Sequence, residues 1–164
     1  MTTDLPREYA LRDPAERVSP RARWMWLTGS LPWWLVLVAG AVVGVTLTDV
    51  PWWPVVPLAL LAAAYVVVMP LWRYRVHRWE VTRTAVYTQT GWWVRERRIA
   101  PMSRIQTVDW SQGVWSRVYG LATVTVTTAS AAGALTIVGL EKDRAQALAE
   151  QLTQQAQATP GDAT

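Results

Sequence analysis

The chain has one histidine and no cysteine, which leaves few routes to covalent or metal chemistry. That histidine, His77, stands three residues before Glu80. On a strand this spacing sends the two side chains to opposite faces, so the pair reads as neither a metal site nor an acid–base couple. His77 is expected at the surface or close to a membrane. Without cysteine there are no disulfides, thiolate ligands or thiol nucleophile. There is also no GxSxG, GxGxxG or Walker-type lysine loop. The acids Glu80, Glu96, Asp109, Glu141, Asp143 and Glu150 are scattered among arginines, and each is expected to pair with one or sit in water. These residues imply no enzyme, no cofactor, no metal site and no small-molecule substrate.

Arginine is the abundant functional group, because all but one of the 16 basic residues are Arg and the formal charge is +4. Arg73, Arg75 and Arg78 directly follow a long apolar run, and Arg95, Arg97 and Arg98 cluster further on. An arginine beside an anionic leaflet is worth about 1 kcal/mol, so both clusters are candidate lipid contacts. The simpler role of the first cluster is to orient the chain in a membrane. Trp92, Trp93 and Trp110 lie among the basic residues, a composition that also suits nucleic acid. Tethering to a membrane and the lack of a nucleic-acid fold argue against that partner, and these tryptophans are expected to fill the domain or face a protein.

The elements that position these groups begin with two apolar runs. No Asp, Glu, Lys or Arg occurs from Trp24 to Thr48 or from Val50 to Trp72, and Asp49 alone separates the runs. Crossing the bilayer takes about 20 apolar residues, so the chain is expected to form a two-helix transmembrane hairpin over 24–72, with spans near 27–48 and 52–72. Arginines flank both outer ends (Arg7, Arg12, Arg17, Arg21 and Arg23 before, Arg73, Arg75, Arg78 and Arg83 after), whereas the connection carries only Asp49. The positive-inside rule then places both termini in the cytoplasm. A signal peptide cleaved near Ala39-Gly40-Ala41 is the rival reading. The first run is too long for one, and a second run follows at once. Seven tryptophans lie near the ends of the runs, at headgroup depth. Trp33 and Trp34 follow Pro32, so the first helix is expected to start near Pro32, with 24–31 lying along the interface. Gly40 and Gly44 form a GxxxG that favours close helix packing, either against the small face of Ala59 and Ala63 or, less favoured, against another chain.

Residues 1–23 show no apolar stripe and read as a mostly disordered basic leader, and 154–164 as a disordered tail. Between them, 73–153 reads as short β-branched strands broken by turns: Tyr74–Val81, Val86–Thr90, Trp92–Ile99, Arg104–Trp110, Leu121–Thr128 and Leu135–Val138. Ala132-Gly133 is expected to turn the last hairpin, and Gln112–Gly120 to be a loop or a single helical turn. A helix from Glu141 to Gln155 carries Ala145, Leu148, Ala149 and Leu152 on one stripe. This is a cytoplasmic α+β domain of antiparallel strands closed by a C-terminal helix.

The stretch from Arg98 to Asp109, with Ser103-Arg104-Ile105-Gln106 at its centre, resembles a recurring segment of the bacterial pleckstrin-homology-like domains of the YdbS-like membrane protein family. So does Gln112 to Val124, with its Gly120-Leu121-Ala122-Thr123. The likeness covers roughly residues 20–153. It implies a split antiparallel β-barrel capped by the last helix and brings no defined biochemical activity. The Ser103–Gln106 signature also has a structural reading, in which Arg104 and Asp109 fix a turn while Ile105 and Val108 fill core.

Trp115, Arg117 and Tyr119 are the expected partner contact, since aromatics and Arg dominate interface hot spots. The chain is thus expected to be a membrane-anchored, non-enzymatic interaction or scaffolding module. Its partners would be the bilayer and either a second copy or a related PH-domain membrane protein. The alternative is a peripheral sensor of anionic lipid that works through Arg73, Arg75, Arg78, Arg95, Arg97 and Arg98.

Overall fold

Two long helices form over the two runs that carry no charged side chain. A computed structural model describes residues 13–91, 94–129 and 133–158. After a two-residue strand β1 (Glu16–Arg17), helix α1 runs Ala22–Leu47 and α2 runs Val55–Val76. Both are long and apolar enough to cross a bilayer. They pack on each other along their length, with Ala62 and Val66 buried on α2. Then follow β2 (Arg78–Val81), β3 (Ala85–Gly91), β4 (Arg95–Pro101), a short 3-10 turn (Met102–Arg104), β5 (Ile105–Ser111), α3 (Val114–Val118), β6 (Leu121–Thr128), β7 (Leu135–Glu141) and α4 (Lys142–Ala158).

The strands form two antiparallel sheets, β1-β2-β3-β4 and β5-β6-β7. The expected barrel is therefore open: no ladder joins the sheets among the described residues. Pro101, at the end of β4, has no N–H to donate and hands the chain to the 3-10 turn that divides them. The alternation of β6 does what period 2 dictates. Val124 and Val126 are fully buried and the intervening threonines are not. On α4 the stripe Ala145, Leu148, Ala149 and Leu152 is buried, and the helix packs across β5 and β6.

Several boundaries differ from expectation. α4 runs on to Ala158, so residues 154–158 of the expected disordered tail are helical. α1 starts at Ala22 and runs through Pro32 as one helix. Its first turns do not lie along an interface, because Ala22 and Met25 belong to the domain core with Leu121, Leu140 and Leu152. α2 continues past the apolar run to Val76, so the expected strand from Tyr74 begins only at Arg78. The described part of the leader is ordered. β1 pairs with β2 through Glu16↔Trp79 and Arg17↔Arg78, Val18 is buried, and Ser19 N–H donates to the Gly139 carbonyl at 2.9 Å. Gly139 has φ +85°, and a Cβ there would stand 2.8 Å from the Ala22 Cβ. Only glycine lets β7 twist this way and the start of α1 come this close. Arg7 and Arg12, Trp92 and Trp93, Ala132 of the expected turn, and tail residues 159–164 lie outside the described residues.

Candidate functional site

Of the expected site residues, Trp115, Tyr119 and Arg73 come together where the domain meets the hairpin. α3 stands against the second turn of α1, and Thr28 is the hub. Its hydroxyl donates to the Trp24 carbonyl at 2.7 Å, so it meets the Tyr119 hydroxyl, 2.8 Å away, as acceptor. It also accepts the Trp115 Nε1–H at 3.2 Å. One donor and two acceptors satisfy a hydroxyl completely. The Ser116 hydroxyl points to Met25 Sδ at 3.5 Å. Trp115 and Tyr119 thus tie α3 to this chain's own helix through their polar atoms. What α3 turns outward is Val114 (79% exposed), Val118 (69%), much of the Trp115 ring (47%) and Arg117.

On α2 the expected lipid contacts separate. The Arg73 guanidinium lies 4.5 Å over the Trp26 ring of α1, and Arg23 lies over Tyr74 at 5.1 Å. These cation–π contacts stitch the two helices where they enter the domain. Arg75 is exposed, and Arg78 donates to the Pro14 carbonyl at 3.4 Å. On β4, Arg95 is exposed, Arg97 pairs with Asp13 and donates to Gln89 at 3.0 Å, and Arg98 pairs with Glu96 at 2.6 Å. Salt bridges and backbone bonds therefore occupy much of the charge that could form one basic patch.

His77 is buried, not superficial: it is 7% exposed and caps α2. Its Nδ1–H donates to the Arg73 carbonyl at 3.0 Å, and its ring meets Trp26 at 5.2 Å. Burial, and secondarily the Arg73 charge, pull the imidazole down to about 4, against the opposing pull of the carbonyl. His77 is thus a neutral wedge between helix and sheet. The sequence signal that could have located it is the aromatic and cationic company of Trp26 and Arg73. In the Ser103–Gln106 signature, Ile105 and Val108 pack against the core. Asp109, however, accepts from Thr107 at 3.4 Å, and no ion pair joins Arg104 to it. A Cβ built at Gly40 or Gly44 meets nothing within 4 Å. Within the chain, then, the two glycines do not receive the second helix.

A groove of about 420 Å³ opens between α1, α2 and α3, walled by Met25, Trp26, Tyr65, Met69 and Pro70 with Arg73 at its edge. Among the described residues, no group of three His, Asp or Glu side chains is placed to hold a metal ion.

A family model described as the bacterial PH domain matches residues 34–156. The transmembrane protein YdbS of Bacillus subtilis (strain 168) is 37% identical over 97 residues, which cover 59% of this chain and 60% of that protein. The match thus spans about three fifths of the relative's own length. No solved structure matches the chain.

Proposed function

This chain belongs to the bacterial PH domain family and is a membrane protein, and from that premise we propose that it is a membrane-anchored, non-enzymatic assembly module. Its hairpin crosses the bilayer twice with both ends in the cytoplasm, as the arginine flanks favour. The PH-like domain presents α3 to a neighbouring membrane protein, either a second copy or a related PH-domain chain.

The observation that carries this reading is the outward face of α3. Val114, Val118 and the Trp115 ring are exposed beside Arg117 on a helix whose other side is pinned to Thr28. Contiguous exposed apolar groups mark interaction surfaces, and a pinned helix has already lost the freedom that binding would otherwise remove. Its height points to a partner in the membrane. Counting about 20 residues of α1 back from Leu47, the length of the hydrocarbon core, reaches Thr28. Sensing of anionic lipid by the six arginines has less support, since Arg97 and Arg98 are ion-paired and Arg78 is bonded to backbone.

The test is Val114→Asp with Val118→Asp in the full chain, which leaves Trp115 and Tyr119 holding Thr28. Crosslinking in membranes and mass in mild detergent should show assembly in the parent and its loss in the variant, at an unchanged thermal midpoint. A parent that is monomeric in both settings, or a variant that assembles as well as the parent, refutes the reading.

A further inference from the structure

The groove between the domain-proximal ends of α1 and α2 has the polarity of a lipid. Its walls are apolar (Met25, Trp26, Met69, Pro70), and the one charged group lining it is Arg73. Tyr65, at the other end of the α2 wall, lies eight residues before Arg73, about 12 Å deeper along the helix. The single cation thus stands where headgroups lie, and the apolar walls extend toward the hydrocarbon. The Arg73 guanidinium makes no ion pair among the described residues. Its compensation is the Trp26 ring face at 4.5 Å, and a half-buried charge held on a ring still favours an anion beside it. The volume, about 420 Å³, falls in the range of small-molecule sites, about 300–1,000 Å³.

We propose that this groove is a binding site for one anionic phospholipid, its phosphate against Arg73 and an acyl chain lying between α1 and α2. The site adjoins the assembly surface, since Trp115 and Ser116 of α3 also line it, but it is a separate proposal. Val114 and Val118 are not among its lining residues, and it holds whether or not α3 meets a partner. Basic pockets between transmembrane helices are a recurrent place for anionic headgroups. A free phosphate would satisfy Arg73 but leave the apolar walls empty, so the lipid is the occupant.

The experiment uses the full chain in neutral detergent. Thermal midpoints and lipid retention by native mass spectrometry are read with phosphatidylglycerol, with phosphatidylcholine of the same chains, and with inorganic phosphate. Phosphatidylglycerol should bind roughly tenfold more tightly than phosphatidylcholine, the scale of one charge-assisted contact, and phosphate alone should give no protection. Arg73→Gln should remove the preference, and Arg83→Gln, which deletes the same charge on the distant β2–β3 turn, should keep it. Met69→Trp, which fills the groove and spares Arg73, should lose both lipids. Equal binding of the two lipids, protection by phosphate alone, or an equal loss in Arg83→Gln overturns the proposal. If Arg73→Gln does not fold, Met69→Trp decides: phosphatidylglycerol retained at the parent level places the lipid elsewhere.

Discussion

Acidification should loosen the joint between helix and domain through His77. The folded protein holds this imidazole at about 4, against about 6.5 for an exposed one. Between these values the unfolded chain takes up a proton that the folded chain does not. Stability is therefore undiminished above about pH 6.5 and falls as pH drops toward about 4. At about 1.4 kcal/mol per pH unit, the full loss is at most about 3 kcal/mol, with about 2 kcal/mol gone by pH 5. The structural cause is desolvation first and then the charge of Arg73, with the Nδ1–H bond to the Arg73 carbonyl opposing both. His77 is the chain's only histidine, so in protein purified without a polyhistidine tag the imidazole ¹⁵N signal, a pair of resonances from Nδ1 and Nε2, comes from this ring alone. That signal should remain that of the neutral Nδ1–H tautomer down to pH 5. Denaturation midpoints at pH 7.5 and 5.0, compared with His77→Gln, separate this proton from the carboxylates: the parent should lose about 2 kcal/mol more than the variant. A resonance that titrates near 6.5, or equal losses in parent and variant, refutes the reasoning.

Two further substitutions probe the same joint. Gly139→Val should destabilise the full chain by more than about 2 kcal/mol, since the residue combines a positive φ with a Cβ contact to Ala22 far inside van der Waals distance. A thermal midpoint within a degree of the parent would contradict it. Thr28→Val should cost about 1–3 kcal/mol, because it leaves Tyr119 and Trp115 without their acceptor. Pairing it with Tyr119→Phe in a double-mutant cycle should show the two effects to be non-additive, whereas strict additivity would deny the contact.

The sequence carried the periodic elements well. Two uninterrupted apolar runs, the Thr/Val alternation of β6 and the Ala145–Leu152 stripe of α4 each repeat a local rule, so they are read from neighbouring residues alone. What escaped is long-range. Val18 and Ala22 look like leader residues until Gly139, more than a hundred positions away, is seen to make room for them. The Tyr74–Val76 segment alternates like a strand, yet it stays helical because Arg73 and Tyr74 are held by Trp26 and Arg23 on the other helix. Trp115 and Tyr119 were expected by type to meet a partner, and that their polar atoms meet Thr28 of the same chain was not legible, because a hydrogen bond spanning some ninety residues leaves no local signal. The β4 arginines read as a basic patch because their partners include Asp13, from the far end of the chain. Gly40 and Gly44 show the converse: a motif with a clear local rationale on which the second helix does not close, Gly44 facing Val55 and Leu58 only across an open groove.

The central claim, a two-span anchor carrying its PH-like domain on the cytoplasmic face, is open to a direct measurement because the chain has no cysteine of its own. Single cysteines at Asp49, in the connection between α1 and α2, and at Arg117 and Asp143, on the domain, can be labelled in intact cells with a membrane-impermeant maleimide. The account predicts that the cysteine replacing Asp49 reacts from outside, and that the other two react only after the membrane is permeabilised. Labelling of either domain position in intact cells, or protection of position 49 until permeabilisation, would contradict it.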